Sequence, residues 1–408
     1  MKLLFYTHYF PPSVGGVETI THSLAGGIAD LQDQACPSSI DVTLVTQTHA
    51  GSFDDSALPY RLVRRPRMAI LLKMINDADL IHVAGPSLLP MLLGWLLRKP
   101  VVVEHHGYQA ICPNGLLIHQ PDLAICPGHF RGFHYAQCWR CLSAETSFPK
   151  TQLRLLAMTL RHWLARRMTL NIAITKHVKD RQRLPRTEVI YYGIELPVAV
   201  GQQSTPRRPP EDKPVFAFVG RFVPEKGIGT LLTASKFLRE RGHNFELRLI
   251  GDGSARHEIE RDIDRYRLGD IVTITGFLNG PQMNVALQDA AAVIVPSIWE
   301  EAAGLVAIEQ MLRGKLVIAS AIGGLQEIVG DAGLLFPHGD ASALAECMCR
   351  VLRDPQLSGR LGLQGRARSL ALFQKQRMIR EHAELYQRVV SLVPAIHHRT
   401  RPLRPTRI

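Results

Sequence analysis

The chain has few cysteines, few aromatics and no long apolar run, and each shortage excludes something. Seven cysteines in 408 residues are too few, and odd in number, for a disulfide scaffold, and they suit a reducing cytosol. The longest apolar run, residues 86–97 (PSLLPMLLGWLL), is too short to span a bilayer. The opening MKLLFYTHYFPPS carries one Lys and reaches Pro11-Pro12 before any small-residue cleavage site, which argues against a secretory signal. No solenoid-length repeat and no low-complexity tract is present. Aromatics make up 7% of the chain. No stacking platform or recognisable module accompanies the basic stretches, so nucleic acid is not an expected partner.

What remains is an ordinary globular mixture, 46% apolar and 21% charged, long enough for two domains of about 200 residues each. The net charge of +12 is concentrated. Ten Lys/Arg stand against Asp180 alone between residues 150 and 186, and Arg399, Arg401, Arg404 and Arg407 meet no acid in the tail. Such patches suit phosphates or anionic lipid heads, or else are a solvated helix face and a frayed tail. Residues 150–168 are amphipathic, with Leu, Met and Trp163 interleaved by Arg. They read as a helix lying on a membrane, or as one packing on its own domain with the arginines outward. The expected location is cytoplasmic, peripheral on the inner face of a membrane through 150–186 and the tail.

Short apolar runs alternate with amphipathic stretches almost throughout. Six runs fall in the first half (residues 2–8, 42–48, 80–84, 100–106, 170–175 and 188–193). Six more fall in the second (214–220, 245–251, 271–277, 291–297, 315–321 and 333–336). Continuous Val/Ile/Leu blocks of this kind predict parallel strands covered on both faces, and the stretches between carry helical periodicity. Residues 196–213 (LPVAVGQQSTPRRPPEDK) sustain neither helix nor central strand and read as a linker. The predicted organisation is a first domain over 1–195, that linker, a second domain over 214–375 and a basic tail over 393–408. Both domains are doubly wound α/β units, whose carboxyl strand ends bind ligands across a cleft.

In the second half, Arg221 and Lys226 share a loop between a strand's end and a helix start, a plausible diphosphate site or a pair of surface cations. Residues 296–310 (PSIWEEAAGLVAIEQ) place Glu301 before a helix opening near Gly304 and put Glu309 in its second turn. Carboxylates so placed accept hydrogen bonds from vicinal hydroxyls; otherwise Glu301 caps the helix and Glu309 is solvated. A dinucleotide-binding reading of IGDGSAR fails, since position 256 is Arg where the third Gly is needed.

Taken in order, Gly220-Arg221 with Glu225-Lys226-Gly227, the run 249–253 (LIGDG), Glu301 to Glu309 around Gly304, and Gly323-Gly324 with Glu327 resemble the retaining GT-B glycosyltransferases of family 4. The resemblance implies two Rossmann-like domains, with a C-terminal helix over 376–392 returning to the first. It implies that Arg221 and Lys226 neutralise the donor's diphosphate. It also implies that Glu309 holds the ribose, that Glu301 contacts the donor sugar, and that backbone near Gly323-Gly324 approaches the donor. The family usually has Pro-Phe after the first Glu; Ala302-Ala303 stand here and alter the loop.

In the first half, Gly15-Gly16 opens a helix after the first strand, where backbone approaches a ligand closely. The resemblance sets this loop, with Gly16, against donor phosphate and acceptor. His106 corresponds to the family's sugar-contacting His, though Gly107 stands where an Asp often follows. An insert over 107–145 carries Cys112, Cys126, Cys138 and Cys141. The x2 bite of the last pair points to a structural four-thiolate zinc, with free thiols or an oxidation-sensitive pair as the alternative. A subset of the family has a similar insert, and no cofactor is required for the chemistry.

The function implied is sugar transfer from a nucleoside-diphosphate sugar to a saccharide or lipid-linked acceptor, with retention, in cell-surface polysaccharide or glycolipid assembly. The alternatives are a nucleotide-sugar-binding subunit without turnover and a nucleotide-sugar epimerase of the same fold.

Overall fold

The computed structural model describes residues 1–13, 15–31, 40–120, 122–144, 146–195 and 213–399, with the backbone alone for 393–399. Nearly all of the expected linker, Cys36 and the basic tail lie outside the described side chains.

The first domain holds β1 (Lys2–Thr7), β2 (Asp41–Thr46), β3 (Arg61–Arg64), β4 (Leu80–Ala84), β5 (Val101–His105), β6 (Leu170–Ala173) and β7 (Thr187–Val189). They form one parallel sheet in the order β3-β2-β1-β4-β5-β6-β7. Strands β4 and β5 are buried along their whole length, as expected of strands covered on both faces. Helices α1 (Gly16–Asp30) and α6 (Lys176–Gln182) belong to one face; α2 (Met68–Asp77), α3 (Leu88–Leu96) and α5 (Phe148–Ala165) cover the other. Between β5 and α5 lies the insert, with α4 (Tyr135–Ser143) as its one helix among the described residues.

The second domain holds β8 (Val215–Val219), β9 (Glu246–Ile250), β10 (Val272–Gly276), β11 (Ala290–Val295), β12 (Leu316–Ser320) and β13 (Leu334–Phe336), ordered β10-β9-β8-β11-β12-β13. Its helices are α7 (Ile228–Glu240), α8 (Arg256–Arg265), α9 (Gly280–Leu287), α10 (Leu305–Leu312), α11 (Gly323–Val329), α12 (Ala341–Arg353) and α13 (Pro355–Leu372). The last helix, α14 (Lys375–Arg399), leaves this domain and packs on α1, where Met378, Ile379, Leu385 and Tyr386 complete the first domain's core.

Both sheets reverse direction of winding once, between β1 and β4 and between β8 and β11. Such switch points open a crevice at the carboxyl strand ends. All of the expected apolar runs contain observed strands; β3 was not among them. Its sequence RLVR is half-exposed on the sheet edge, so it lacks the apolar block that marks the others.

Candidate donor site in the interdomain cleft

Two loops of the second domain flank its switch point. After β8, Phe222 N donates to Asp252 O at 2.8 Å, and Pro224–Lys226 make a single 3-10 turn. After β11, residues 296–303 run to α10, which Gly304 caps in the left-handed region at φ 69°, a conformation that favours glycine. These loops bring Lys226 and Glu301 together: Lys226 Nζ donates to Glu301 Oε1 at 2.6 Å, and the Ser297 hydroxyl donates to the same oxygen. The Lys226 ammonium also stands 5.9 Å from the centroid of the Trp299 ring.

Burial alone would push the Glu301 carboxyl up. The Lys226 charge, its hydrogen bond and the Ser297 hydroxyl outweigh that and hold it below its ordinary value. Glu309 differs. It lies on α10, one turn beyond Leu305 and Val306, which line the cleft. No hydrogen bond to its side chain is made by the described residues, and burial raises its pKa. Arg221 is exposed and forms no ion pair among the described residues.

The first domain supplies the opposite wall. His106 follows β5 with its side chain 3% exposed. Its Nδ1 is hydrogen-bonded to the Tyr192 hydroxyl at 2.7 Å, and the two rings stack at 27° between planes. Burial lowers the His106 pKa, against the opposing pull of Glu104. A pocket of about 210 Å³ joins both walls, lined among others by Val17, His106, Tyr192, Lys226, Glu301 and Leu305. Gly16 sits where the domains touch: a Cβ there would strike Leu305 of the second domain.

The loop after β11 is clamped from both domains. Gly323 and Gly324 open α11, and the Gly324 amide donates to Glu301 O at 2.6 Å. The amide expected to approach a donor is thus engaged with the glutamate's own backbone. Thr175 Oγ1 donates to Ala302 O at 2.8 Å, and Arg181 Nε to Glu300 Oε2 at 2.8 Å. The Glu327 carboxylate accepts from Lys176 N and His177 N at 3.0 and 2.9 Å, capping α6 from across the interface. Ala302 and Ala303 are buried in the first domain's core cluster, so their small side chains let the loop seat there.

Behind His106 lies a network that sequence reasoning missed. Glu104 is 1% exposed on β5. Three imidazoles point Nε2 at its carboxylate: His82 on β4 at 3.3 Å, His382 on α14 at 3.7 Å and His106 at 3.8 Å. His82 Nδ1 is hydrogen-bonded to the Tyr386 hydroxyl at 2.8 Å. Burial would raise Glu104, but the imidazoles hold it well below the usual carboxylate range. A Glu inside the apolar run VVVEHH was the available signal, since a buried charge needs partners.

The insert brings all four expected cysteines, with His119 and His129, around one small cavity. Cys112, Cys126 and Cys138 are free thiols. Burial and the neighbouring sulfurs push Cys138 up to about 12. The donor set has the chemistry zinc prefers. Among the described residues, however, no group of three or more His, Cys, Asp or Glu has a metal-holding arrangement.

Comparison with known proteins follows the same division. Residues 202–368 match the family described as Glycosyl transferases group 1. A 2-deoxystreptamine glucosyltransferase of Streptomyces kanamyceticus is 36% identical over 149 residues, 36% of this chain and 38% of the relative. The D-inositol 3-phosphate glycosyltransferase of Kribbella flavida is 35% identical over 188 residues, 42% and 43% of the two chains. The alignments span less than half the length of these curated relatives. Solved structures align over nearly the whole chain. A sucrose-phosphate synthase of Thermosynechococcus elongatus has a TM-score of 0.69 at 24% identity, covering 96% of this chain and 99% of that one. HepE of Anabaena, solved with UDP and glucose, has a TM-score of 0.68 at 20% identity, covering 95% and 99%. The chain therefore has the GT-B fold, and residues 202–368 within it are similar to the group 1 glycosyl transferases.

Proposed function

We propose that the protein is a retaining glycosyltransferase that takes a sugar from a nucleoside-diphosphate donor to a saccharide or lipid-linked acceptor, in cell-surface polysaccharide or glycolipid assembly. The observation that carries this is the Lys226–Glu301 pair facing His106 and Tyr192 across the pocket at the carboxyl strand ends. Relatives that transfer sugars, and a structure of this fold solved with UDP and glucose, support the donor class.

Each residue has a part in that reading. Lys226 and the free Arg221 neutralise the diphosphate and the charge that grows on it as the glycosidic bond breaks. Glu309 has no hydrogen-bond donor of its own among the described residues, and accepts from the ribose hydroxyls. Glu301, fixed through Oε1, orients the donor sugar, and His106 reaches it from the other wall. The bond from the anomeric carbon to the phosphate oxygen breaks as the acceptor oxygen attacks from the same face. The acceptor's proton passes to the departing phosphate.

The experiment is a thermal-shift panel of UDP-, GDP-, ADP- and dTDP-sugars, since preferential binding to the folded state raises the midpoint. One nucleotide sugar should shift it, and Glu309→Ala should abolish the shift. The same donor with acceptor should give product with an unchanged anomeric configuration. No shift with any donor, or an inverted product, would overturn the reading.

The insert's thiols take up a structural zinc by turning into their shared cavity, which all four line. One zinc per chain by elemental analysis, lost in Cys138→Ser/Cys141→Ser, is the expected result. Metal-free protein with the same melting curve as zinc-supplemented protein would exclude it.

A further inference from the structure

The first domain carries an apolar surface that the cleft does not use. Helix α5 buries one face: Thr151, Met158, Leu164 and Ala165 turn inward. Leu153, Leu156 and Leu160, spaced three and four apart, form a second stripe on the outside. Leu153 is 66% exposed and Leu156 68%, exposures at which a packed helix normally carries polar residues. Phe148 at the start of α5 is exposed as well.

The neighbouring helices repeat the pattern. Helix α3 packs between α2 and α5, fastened to α5 by Trp95 and Trp163, whose rings meet edge-on with centroids 5.1 Å apart. Leu96 is exposed at its end, and Met68, Ile70 and Leu72 are exposed on α2. Three adjacent helices of one layer thus present aliphatic side chains to solvent. Large aliphatic side chains gathered in solvent on one layer mark interaction sites.

Cations surround these side chains. Arg67, Lys73, Arg98, Lys150 and Arg154 are all exposed, and none forms an ion pair among the described residues. Just past the end of α5, the Arg167 guanidinium lies 3.7 Å from the centroid of the Trp163 ring. Unpaired bases beside exposed Leu, Ile and Met fit a surface that is anionic outside and apolar just beneath. Two copies of this layer face to face would set cation against cation. A nucleic acid would meet the phosphates but leave the leucines stranded.

We infer that the α2–α3–α5 layer docks the protein on an anionic lipid bilayer, with Leu153 and Leu156 entering the headgroup boundary and Lys150 and Arg154 on the lipid phosphates. In a parallel α/β sheet the helices run antiparallel to the strands, so the amino-terminal turns of α2 and α5 lie at the carboxyl strand edge. Met68, Ile70, Phe148 and Leu153 therefore belong to the end of the layer nearest the cleft, the side from which a membrane-held acceptor enters. This last step alone rests on the transferase reading.

The test uses the full chain and flotation with two kinds of vesicle, phosphatidylcholine alone and phosphatidylcholine with phosphatidylglycerol. Binding to the second kind that weakens with added salt is expected. Leu153→Glu/Leu156→Glu and Lys150→Glu/Arg154→Glu should each weaken it about tenfold, with melting midpoints unchanged because these side chains are exposed. Absence of binding, or equal binding by all three proteins, would overturn the inference. So would a dimer in light scattering that the leucine variant breaks. Each protein's melting shift with nucleotide sugar is recorded in parallel. Unmutated protein that shifts with a nucleotide sugar but floats with neither vesicle counts against the docking surface alone, and unmutated protein that floats without any shift counts against the donor site alone.

Discussion

The two walls of the cleft are built differently. On the second domain's side, Lys226 and Glu301 come from loops after β8 and β11, and the pair reaches water through Lys226, whose side chain is 21% exposed against 8% for Glu301. On the first domain's side, Glu104 is sealed with His82 and His382, both fully buried, and His106 alone of its three imidazoles lines the pocket. One wall holds charges that a ligand can take over. The other holds charges that only the fold can satisfy. A site needs both kinds, since a mobile cation finds a diphosphate but gives no fixed direction to the sugar.

The largest expected effect is on the open wall and on turnover. Lys226→Ala should lower kcat/KM by about 10²–10³, the usual cost of one preorganised electrostatic group. Lys226→Arg should recover part of it, measured by initial rates at saturating acceptor. Loss of activity with donor affinity intact would sharpen the comparison by moving Lys226 from binding to the transition state.

On stability the order reverses. Glu104→Gln keeps the shape but sets an amide N–H₂ among buried imidazoles that face a carboxylate, and should cost about 2 kcal/mol of unfolding free energy. Glu301→Gln should cost about 1 kcal/mol, because the part-exposed Lys226 can rehydrate. Denaturant titrations of the two variants decide it. Equal costs would break the contrast between a sealed and an open wall.

That contrast also explains what could be read in the sequence. The open wall was legible because its motifs are local: residues 220–227 and 297–309 each lie within one strand–loop–helix passage, and the strand pattern sets them at adjacent carboxyl ends. The fold class was legible for the same reason, from apolar blocks in βαβ rhythm. The sealed wall was not, because its partners are fixed by chain return. His82 and Tyr386 are 304 positions apart, and nothing in the local sequence of α14 says that it packs under β4. Glu327 was legible as part of a motif but not as the cap of α6, a contact across the domain interface. Residues 150–168 left two readings, and the helix found there packs one face on its own domain while Leu153, Leu156 and Leu160 stay exposed.

Acid should open the sealed wall first. Burial holds His82 and His106 below their ordinary value and pushes His105 down to about 4. A histidine depressed in the native state takes up its proton more readily when unfolded. Stability is therefore full above the unfolded value near 6.5 and falls as pH drops towards 4. Glu104, itself depressed, adds a loss of the same sign at lower pH. Melting midpoints should fall steeply between pH 6.5 and about 4, and a flat profile there would mean that the imidazoles are hydrated.

The smallest stability effect is expected at Glu309, and its smallness is the point. Burial raises this carboxyl, and the Arg313 charge offsets only part of the cost, with no hydrogen bond to the side chain among the described residues. Glu309→Ala removes a poorly solvated group, so the melting midpoint should stay level or rise slightly. Donor affinity should fall about tenfold, the worth of a hydrogen bond to a charged group. A residue that serves only the fold cannot behave this way, because its removal would lower the midpoint and leave the ligand-induced shift intact. Calorimetric titration with the active nucleotide sugar, beside a melt of the unliganded variant, separates the two cases and assigns Glu309 to the ligand or to the protein.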